Sequence, residues 1–233
     1  MTLFYAPEIS SSGCILNAEE STHCVRVLRH VAGDTIRLTD GLGFFYEATI
    51  ITANPKACVV EITGRTEEPA PMPFRLHMAV APPKNAERLE WFLEKATEIG
   101  ISQVTPIICE HSERSRINHE RLMRILISAM KQSERATLPV LSEATAFSKL
   151  IEQASEDIKF IAHCEPQKKS TIGEFYKKNH SALVLIGPEG DFSVNEINQA
   201  LKSGFSPISL GKSRLRTETA ALAACTILNF INE

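Results

Sequence analysis

Two glycine-bearing loops in the last third of the chain carry residues whose types and spacing suit ligand binding. The first, 187–193, follows the apolar run 183–186, and the second, 211–216, follows the run 207–210. Each leads into a helical pattern, and N–H groups at a helix N-terminus beyond a buried strand are free to bind a polar ligand. Ordinary strand-to-helix turns use the same glycines, so the local pattern leaves both alternatives open.

From residue 74 onward the sequence alternates between strand and helix, which would place these loops at one edge of a sheet. Apolar runs predict strands at 74–80, 104–109, 140–141, 158–162, 183–186 and 207–210. Helical spacing of apolar residues predicts helices at 89–99, from Asn118, around Leu150, at 193–204 and from Thr217. Repeated alternation of this kind predicts an α/β domain with a mostly parallel sheet and helices on both faces.

Capping residues mark several of these helix ends. Asn118 is a predicted N-cap, and Ser193 with Glu196 has the pattern of a capping box. Gly100 and Gly204 follow the last periodic residues of two helices, where a left-handed residue usually ends the helix.

The last predicted helix is apolar almost all round between Ala220 and Ile231. A helix without a polar face is buried on more than one side. Two interpretations fit: the helix packs against a second copy of the chain in a homodimer, or it lies at the centre of a large domain.

Residues 1–70 are predicted to be mostly β. Alternating runs at 35–40 and 44–52 flank a turn at 40–43 and predict a hairpin, and another strand is predicted at 58–63. A short helix is predicted near 19–29, with Cys24, Val27 and Leu28 on one side. Three prolines within 69–73 make the stretch 66–73 a linker, because proline cannot donate to a strand ladder. We therefore place a domain boundary there.

The composition is that of a folded globular protein, with 43% hydrophobic and 23% charged residues. A net charge of −3 argues against binding nucleic acid through overall charge. The charge is uneven, however: residues 1–70 hold five Lys/Arg against nine Asp/Glu, whereas 111–135 hold six against three. Local basic density matters more than the total for contacts with phosphate.

The six cysteines form no C-x-x-C pair and have no metal-ligand spacing with the seven histidines. Most lie in apolar runs, which predicts reduced thiols in a cytoplasmic protein and no metal site. The first residues lack the features of a signal peptide, and no apolar run reaches the roughly 20 residues needed to cross a bilayer. The sequence thus predicts a soluble protein without a membrane partner.

The two loops also carry a family resemblance. The run GPEGDFS at 187–193, followed by LGKSRLRTETA at 210–220, resembles the paired signature of the RsmE family of small-subunit rRNA uridine-N3 methyltransferases, in the SPOUT class. HCVRVLR at 23–29 resembles the family's N-terminal PUA-like domain, and KATEIG at 95–100 and ERS at 113–115 resemble the start of its methyltransferase domain. One glycine loop is a weak signal, but two in order with the RTETA continuation are specific.

Three residues depart from the family pattern. Asp191 stands where the family commonly has a third glycine. Within 131–135, Lys131 and Glu134 stand where glutamate and glycine are usual.

The resemblance implies a two-domain fold and a partner. Residues 1–70 would form a PUA-like RNA-binding β-barrel, and 74–233 a SPOUT α/β methyltransferase domain with a deep trefoil knot. Pattern alone would not suggest a knot, since true knots are almost absent from proteins. The resemblance also implies an obligate homodimer, the first of the two interpretations of the apolar final helix.

The resemblance further implies a reaction: methylation of a specific uridine at N3 in 16S rRNA of the small ribosomal subunit. The cofactor, S-adenosyl-L-methionine, would lie among three loops that leave strand ends. The implied cofactor-binding residues are His163, Leu185, Ile186, Gly187, Glu189, Gly190, Leu210, Gly211, Leu215 and Thr217. Arg216 is the predicted catalytic residue, because a guanidinium can stabilise the negative charge of a deprotonated uracil.

Basic side chains are candidates for contacts with the RNA backbone. They are Arg26, Arg29, Lys84, Arg114 and Arg116, with Lys84 expected near the start of the helix that carries Lys95 and Glu98. Lys95 and Glu98 are expected to form a surface pair. For Glu218 a helix-capping role is favoured over that of a base.

Two other functions remain open: a knotted RNA-binding protein without catalysis, and a SPOUT methyltransferase acting on tRNA or another base.

Overall fold

The structure is a computed structural model that describes residues 2–68 and 74–233. These residues group into two compact units, one formed by 2–68 with Ile127–Leu138 and the other by 74–126 with Pro139–Glu233. The prolines of the predicted linker lie outside the described residues. We keep the assignment of 1–70 and 74–233 to two domains as a proposal.

The first unit is built on a five-stranded sheet. Its strands are β1 (Leu3–Tyr5), β2 (Gly13–Ile15), β3 (Thr35–Thr39), β4 (Phe44–Thr52) and β5 (Val59–Glu67). Their order is β1-β3-β4-β5-β2, with β3–β4 and β4–β5 antiparallel and β1–β3 parallel. The predicted hairpin is confirmed, since Thr35 pairs with Thr49 and Thr39 with Phe45. Closure of this sheet into a barrel stays a prediction.

The helical segment of this unit differs from the single helix predicted. Helix α1 (Ala18–Thr22) continues as a π-helical turn, His23–Val27. Cys24 is buried in the core, whereas Val27 is 64% and Leu28 36% exposed. The predicted shared apolar face is therefore wrong, because the wider π turn rotates later side chains away from the 3.6-residue period.

Within the first unit, the segment Ile127–Leu138 contacts residues 2–68 through polar groups and through the apolar cluster of Leu3, Phe45 and Ala136. The Thr39 hydroxyl donates to the Ala136 carbonyl at 3.0 Å, and Lys131 Nζ pairs with the buried Glu20 carboxylate. Glu134 adopts a left-handed φ of 52°, which is the conformation that favours glycine. Of the two residues in this segment that depart from the family pattern, Lys131 forms an ion pair and Glu134 adopts a left-handed conformation.

The second unit contains seven parallel strands. They are β6 (Leu76–Val80), β7 (Gln103–Ile108), β8 (Val140–Leu141), β9 (Thr145–Ala146), β10 (Ile158–Ala162), β11 (Ala182–Ile186) and β12 (Ser206–Ile208). The order is β12-β10-β11-β6-β7-β8, and β9 also pairs with β7. Strands β6 and β11 are buried at every residue, as expected for a sheet covered on both faces.

Five further helices lie between these strands, and a sixth, α7, follows the last strand. They are α2 (Ala86–Ile99), α3 (His119–Gln132), α4 (Phe147–Gln153), α5 (Ile172–Phe175), α6 (Val194–Lys202) and α7 (Thr217–Asn232). Helix α3 begins in the second unit, and its last residues belong to the first. Strand β9 and helix α5 were not predicted. Helix α5 has only four residues, too few for a helical period to show in the sequence.

The predicted caps are confirmed. Asn118 Oδ1 accepts from the Arg121 N–H at 3.0 Å, and Ser193 and Glu196 form a reciprocal capping box. Gly100 ends α2 at φ 117°, and Gly204 follows α6 at φ 83°.

Helix α7 packs against α2 and β6 within the second unit. Its buried side includes Ala221, Ala224, Cys225 and Leu228. Another side is not covered by the described residues, since Phe230 is 76% and Ile227 36% exposed. The apolar surface of this helix therefore exceeds what its own unit buries.

Candidate functional site

A cavity of about 570 Å³ lies where loops leave the carboxyl ends of β10, β11 and β12. Because these neighbouring strands are parallel, their following loops meet at one edge of the sheet. The volume falls within the range of about 300–1,000 Å³ that is usual for small-molecule sites.

The cavity brings together most of the residues predicted to bind the cofactor. Its walls contain Arg216 and eight of the ten predicted cofactor residues: His163, Ile186, Gly187, Glu189, Leu210, Gly211, Leu215 and Thr217. Leu185 and Gly190 lie outside the lining. Leu185 is fully buried in the core cluster with Phe192, and a Cβ on Gly190 would meet His111 Cβ at 3.1 Å.

Two glycines of the site differ in what an added side chain would meet. Gly211 has a φ of 129°, and no atom of the described residues lies within 4 Å of where its Cβ would stand, so its backbone faces open space. At Gly187 a Cβ would meet the Phe192 ring at 3.1 Å. Gly187 therefore permits close packing of its own loop, whereas Gly211 leaves backbone accessible to a ligand.

Thr217 ties the start of α7 to the loop after β11. Its buried hydroxyl donates to the Gly187 carbonyl at 3.0 Å. This bond holds two walls of the cavity together across 30 residues of sequence.

His163 is buried and neutral. The Gln167 side-chain amide donates to its Nε2 at 2.6 Å, so the ring proton resides on Nδ1. Burial, and secondly the positive charge of Lys169, lower the pKa of His163 below its ordinary 6.5. Among the described residues Nδ1 has no hydrogen-bond partner.

The charge of the lining is mainly positive. Lys169, Lys212, Arg214 and Arg216 face the cavity against Glu189 and Asp191, which makes four cations to two carboxylates. Arg216 is exposed and occupies the N-cap position of α7, without a side-chain bond to the helix. Its guanidinium is thus available to a substrate that carries negative charge.

Glu218 differs from its predicted capping role. Its carboxylate is buried, Oε1 lies 3.7 Å from Arg88 Nε, and within the described part of the chain Oε2 has no partner. Arg88 also lies 4.0 Å from the Glu189 carboxylate. Glu218 thus lies in the first turn of α7 and pairs with a side chain of α2, and among the described residues it makes no capping hydrogen bond. The choice of a structural role over that of a base stays a prediction.

Glu189 joins the loop after β11 to the segment before α2. Its Oε1 accepts the Lys84 N–H at 3.0 Å. The predicted helix position of Lys84 is corrected: α2 begins at Ala86 with Asn85 as its N-cap, so Lys84 precedes it. The predicted pair Lys95–Glu98 is confirmed at 2.9 Å.

The structure places the predicted RNA-binding residues in two groups. Lys84, Arg114 and Arg116 line a second cavity of about 360 Å³ near the start of α2, and Lys84 pairs there with Glu113 at 2.9 Å. Arg26 and Arg29 are exposed in the first unit, with Arg29 at a left-handed φ of 62°.

Sequence reasoning missed Lys169 and the contacts of Asp191. The Lys169 ammonium donates to the His163 carbonyl at 2.6 Å. Asp191 has a φ of 65°, and its Oδ2 accepts the Cys164 N–H at 2.7 Å. The departure from glycine at 191 was visible in the sequence, but the partner 27 residues away was not.

Within residues 2–68 and 74–233, no cluster of three His, Cys, Asp or Glu side chains is arranged to hold a metal ion. No helix in the described part of the chain is both long and apolar enough to span a membrane.

The comparisons with known proteins agree with this geometry. A family model described as an RNA methyltransferase domain matches residues 70–229, and a model described as an RNA methyltransferase PUA domain matches 16–63. The ribosomal RNA small subunit methyltransferase E of Synechocystis is 30% identical, over 99% of this chain and 78% of that protein. This chain belongs to the RsmE family.

Solved structures extend the similarity to the whole fold. A probable rRNA-methyltransferase from Porphyromonas gingivalis is 46% identical, with a TM-score of 0.94 over 100% of this chain and 98% of its own. The RsmE protein of Neisseria gonorrhoeae, bound to S-adenosyl methionine, is 26% identical, with a TM-score of 0.88 over 99% and 98%. The chain therefore combines a mixed α/β unit with a PUA-like domain.

Proposed function

We propose that this protein methylates N3 of a specific uridine in 16S rRNA of the small ribosomal subunit, with S-adenosyl-L-methionine as methyl donor. Membership of the RsmE family makes the chain a methyltransferase of small-subunit rRNA that depends on S-adenosylmethionine. The observation that carries the proposal is the cavity at the ends of β10, β11 and β12, lined by eight of the predicted cofactor residues.

The lining fits the proposed cofactor. Ile186, Ile208, Leu210 and Leu215 offer apolar walls to a base, and the open backbone at Gly211 offers polar groups beside them. Buried His163 adds an Nδ1–H without a partner among the described residues. A cavity with apolar walls and a few fixed polar groups is typical of cofactor sites.

Catalysis by this chain consists of orientation and charge stabilisation. When bound, S-adenosylmethionine supplies an activated methyl group, so the residues must align the uracil and stabilise its anion after the N3 proton is lost. We assign charge stabilisation to Arg216, whose guanidinium is exposed at the cavity among three other cations. Preorganised donors of this kind act at developing charge without reorganisation.

We assign contacts with the RNA backbone to the two groups of basic residues described above. Lys84, Arg114 and Arg116 would contact phosphates from the second unit, and Arg26 and Arg29 from the first. Lysine and arginine contacts of this kind release counterions, which makes RNA affinity fall steeply with salt.

We also propose the remaining features implied by the family. The second unit would belong to the SPOUT class, with a deep trefoil knot through which α7 passes. The protein would be a cytoplasmic homodimer, and the exposed Phe230 and Ile227 of α7 support a second copy as its partner. Twofold symmetry would place the same face of α7 on both sides of the interface.

A methyl-transfer assay with labelled S-adenosylmethionine tests the reaction and the substrate together. Unmodified small ribosomal subunits, naked rRNA and tRNA are offered separately. We expect label in ribosomal RNA and none in tRNA. Label in tRNA alone would favour the second methyltransferase function, and cofactor binding without transfer to any RNA would favour a non-catalytic RNA-binding protein.

A further inference from the structure

Asp191 occupies a position in the cofactor cavity that suits glycine. It lies between Gly190 and Phe192 with a φ of 65°, in the left-handed region. Aspartate and asparagine tolerate this conformation better than most residues with a side chain. Unlike glycine, Asp191 brings a carboxylate into the lining of the cavity.

Both oxygens of that carboxylate are bound to backbone. Oδ1 accepts the Phe192 N–H at 2.9 Å, within its own loop. Oδ2 accepts the N–H of Cys164 at 2.7 Å, and Cys164 belongs to the loop after β10. The second bond spans 27 residues of sequence, so it does more than close a local turn.

A third loop is tied to the backbone of the same residue. The His111 ring donates from Nδ1 to the Asp191 carbonyl at 3.1 Å, and His111 follows β7. Asp191 thus contacts loops that leave β7 and β10 while belonging to the loop after β11. The loops after β10 and β11 both line the cofactor cavity.

We propose that Asp191 is a positioning residue that fixes the loop at His163 and Cys164 against the loop 187–192 before the cofactor binds. The proposal rests on the proposed function, because it concerns the same cavity. Holding a site in its bound conformation raises affinity, since less freedom is lost when the ligand arrives. A glycine at 191 would allow the same backbone path but would leave the Cys164 N–H without its carboxylate.

Two variants separate the carboxylate from the backbone conformation. Asp191→Gly keeps the left-handed φ and removes both bonds, whereas Asp191→Asn keeps one acceptor oxygen and removes the charge. Asn179→Gly is the matched control, because Asn179 is exposed in the same unit, has a φ of 66° and lies outside the cavity lining. All are purified as the full chain.

Two readouts are measured on each protein. Calorimetry gives the Kd for S-adenosylmethionine. Hydrogen exchange of the peptide containing Cys164, measured without ligand, reports the hydrogen bond from the Cys164 N–H to Asp191, which we call the Asp191 clamp. We expect a Kd about tenfold higher for Asp191→Gly, an intermediate Kd for Asp191→Asn and no change for Asn179→Gly. The Cys164 amide should exchange faster in Asp191→Gly while the unfolding temperature stays close to that of the unaltered protein.

The outcomes distinguish failure of the positioning role of Asp191 from failure of the proposed function. A Kd for Asp191→Gly within threefold of the unaltered protein would overturn the proposal, as would unchanged exchange at Cys164. If Asp191→Gly does not fold, Asp191→Asn decides by the same two readouts. Failure of the unaltered protein to bind S-adenosylmethionine would instead count against the proposed function, and the exchange measurement would still decide whether Asp191 holds the loop.

Discussion

Arg216 illustrates how the site combines charge with accessibility. It ends the glycine-bearing loop 211–216, stands at the N-cap of α7 and lines the cavity without a side-chain hydrogen bond to the helix. Because the Arg216 side chain makes no cap hydrogen bond to α7, its replacement should change folding little, and its effect on the reaction can be measured separately.

Replacement of Arg216 by alanine tests its catalytic role. We expect kcat to fall by about 10²- to 10³-fold, the usual effect of losing one donor to a developing charge. Cofactor affinity should stay near that of the unaltered protein. Arg216→Lys is the control, since it keeps the charge and loses the planar fork. Normal turnover by Arg216→Ala would remove the assignment.

His163 makes the stability of the protein depend on pH. Burial and the charge of Lys169 lower its pKa below 6.5, so below that pH the unfolded chain takes up a proton that the folded chain does not. Stability is then present above the unfolded value and is lost as pH falls towards the folded pKa. In urea unfolding between pH 5 and 8, the free energy of unfolding should fall as the pH falls. This dependence on pH should be weaker in His163→Gln. Equal slopes in both proteins would contradict it.

Eight of the ten residues that the sequence analysis proposed for the cofactor line the cavity, and the absence of Leu185 from the lining has a physical reason. Ile186 and Leu185 end the same strand, but successive side chains point to opposite faces, so Ile186 lines the cavity and Leu185 lies in the core. An apolar run buried on both faces does not indicate which residue faces the ligand. The Asp191 clamp could not be predicted, because it joins two loops that are 27 residues apart and local sequence patterns do not indicate such contacts.

At the scale of elements, capping signals predicted helix ends well because they are local. Strands β4 and β10 also have the predicted bounds. The grouping of Ile127–Leu138 with the first unit was not predicted. The apolar pattern of α3 is continuous, and periodicity does not tell which unit each turn of a helix contacts.

Mutation of the capping box tests whether the cap stabilises the start of α6. Ser193 Oγ accepts the Glu196 N–H at 3.2 Å, and Glu196 also accepts from the Ser193 and Glu110 N–H groups. Ser193→Ala should lower the free energy of unfolding by about 1 kcal/mol, the usual cost of losing an N-cap. Ser155→Ala, at an exposed position, should change it by less than about 0.5 kcal/mol. Equal effects of the two changes in urea unfolding would contradict a capping role.

At the scale of the whole molecule, the exposed apolar surface of α7 predicts that the protein associates into a dimer. Phe230 is 76% exposed on a helix that is apolar on nearly every side. We expect light scattering to find two chains in the particle. Phe230→Glu should yield a folded single chain, because burying a charge in the proposed apolar interface would be costly.

Val194→Glu is the control for that change, since Val194 is 61% exposed at the start of α6, where an acidic residue suits the helix N-terminus. It should remain a dimer. A single chain in the unaltered protein would contradict the proposed homodimer.

The central claim is that the methyl group reaches N3 of a uridine, and the most direct measurement is the chemical identity of the product. Small ribosomal subunits lacking the modification are incubated with the protein and S-adenosylmethionine, and the rRNA is digested to nucleosides for mass spectrometry against standards. We predict N3-methyluridine with the unaltered protein and a greatly reduced amount with Arg216→Ala. A methyl group on another base, on the ribose or on C5 of uridine would contradict the account.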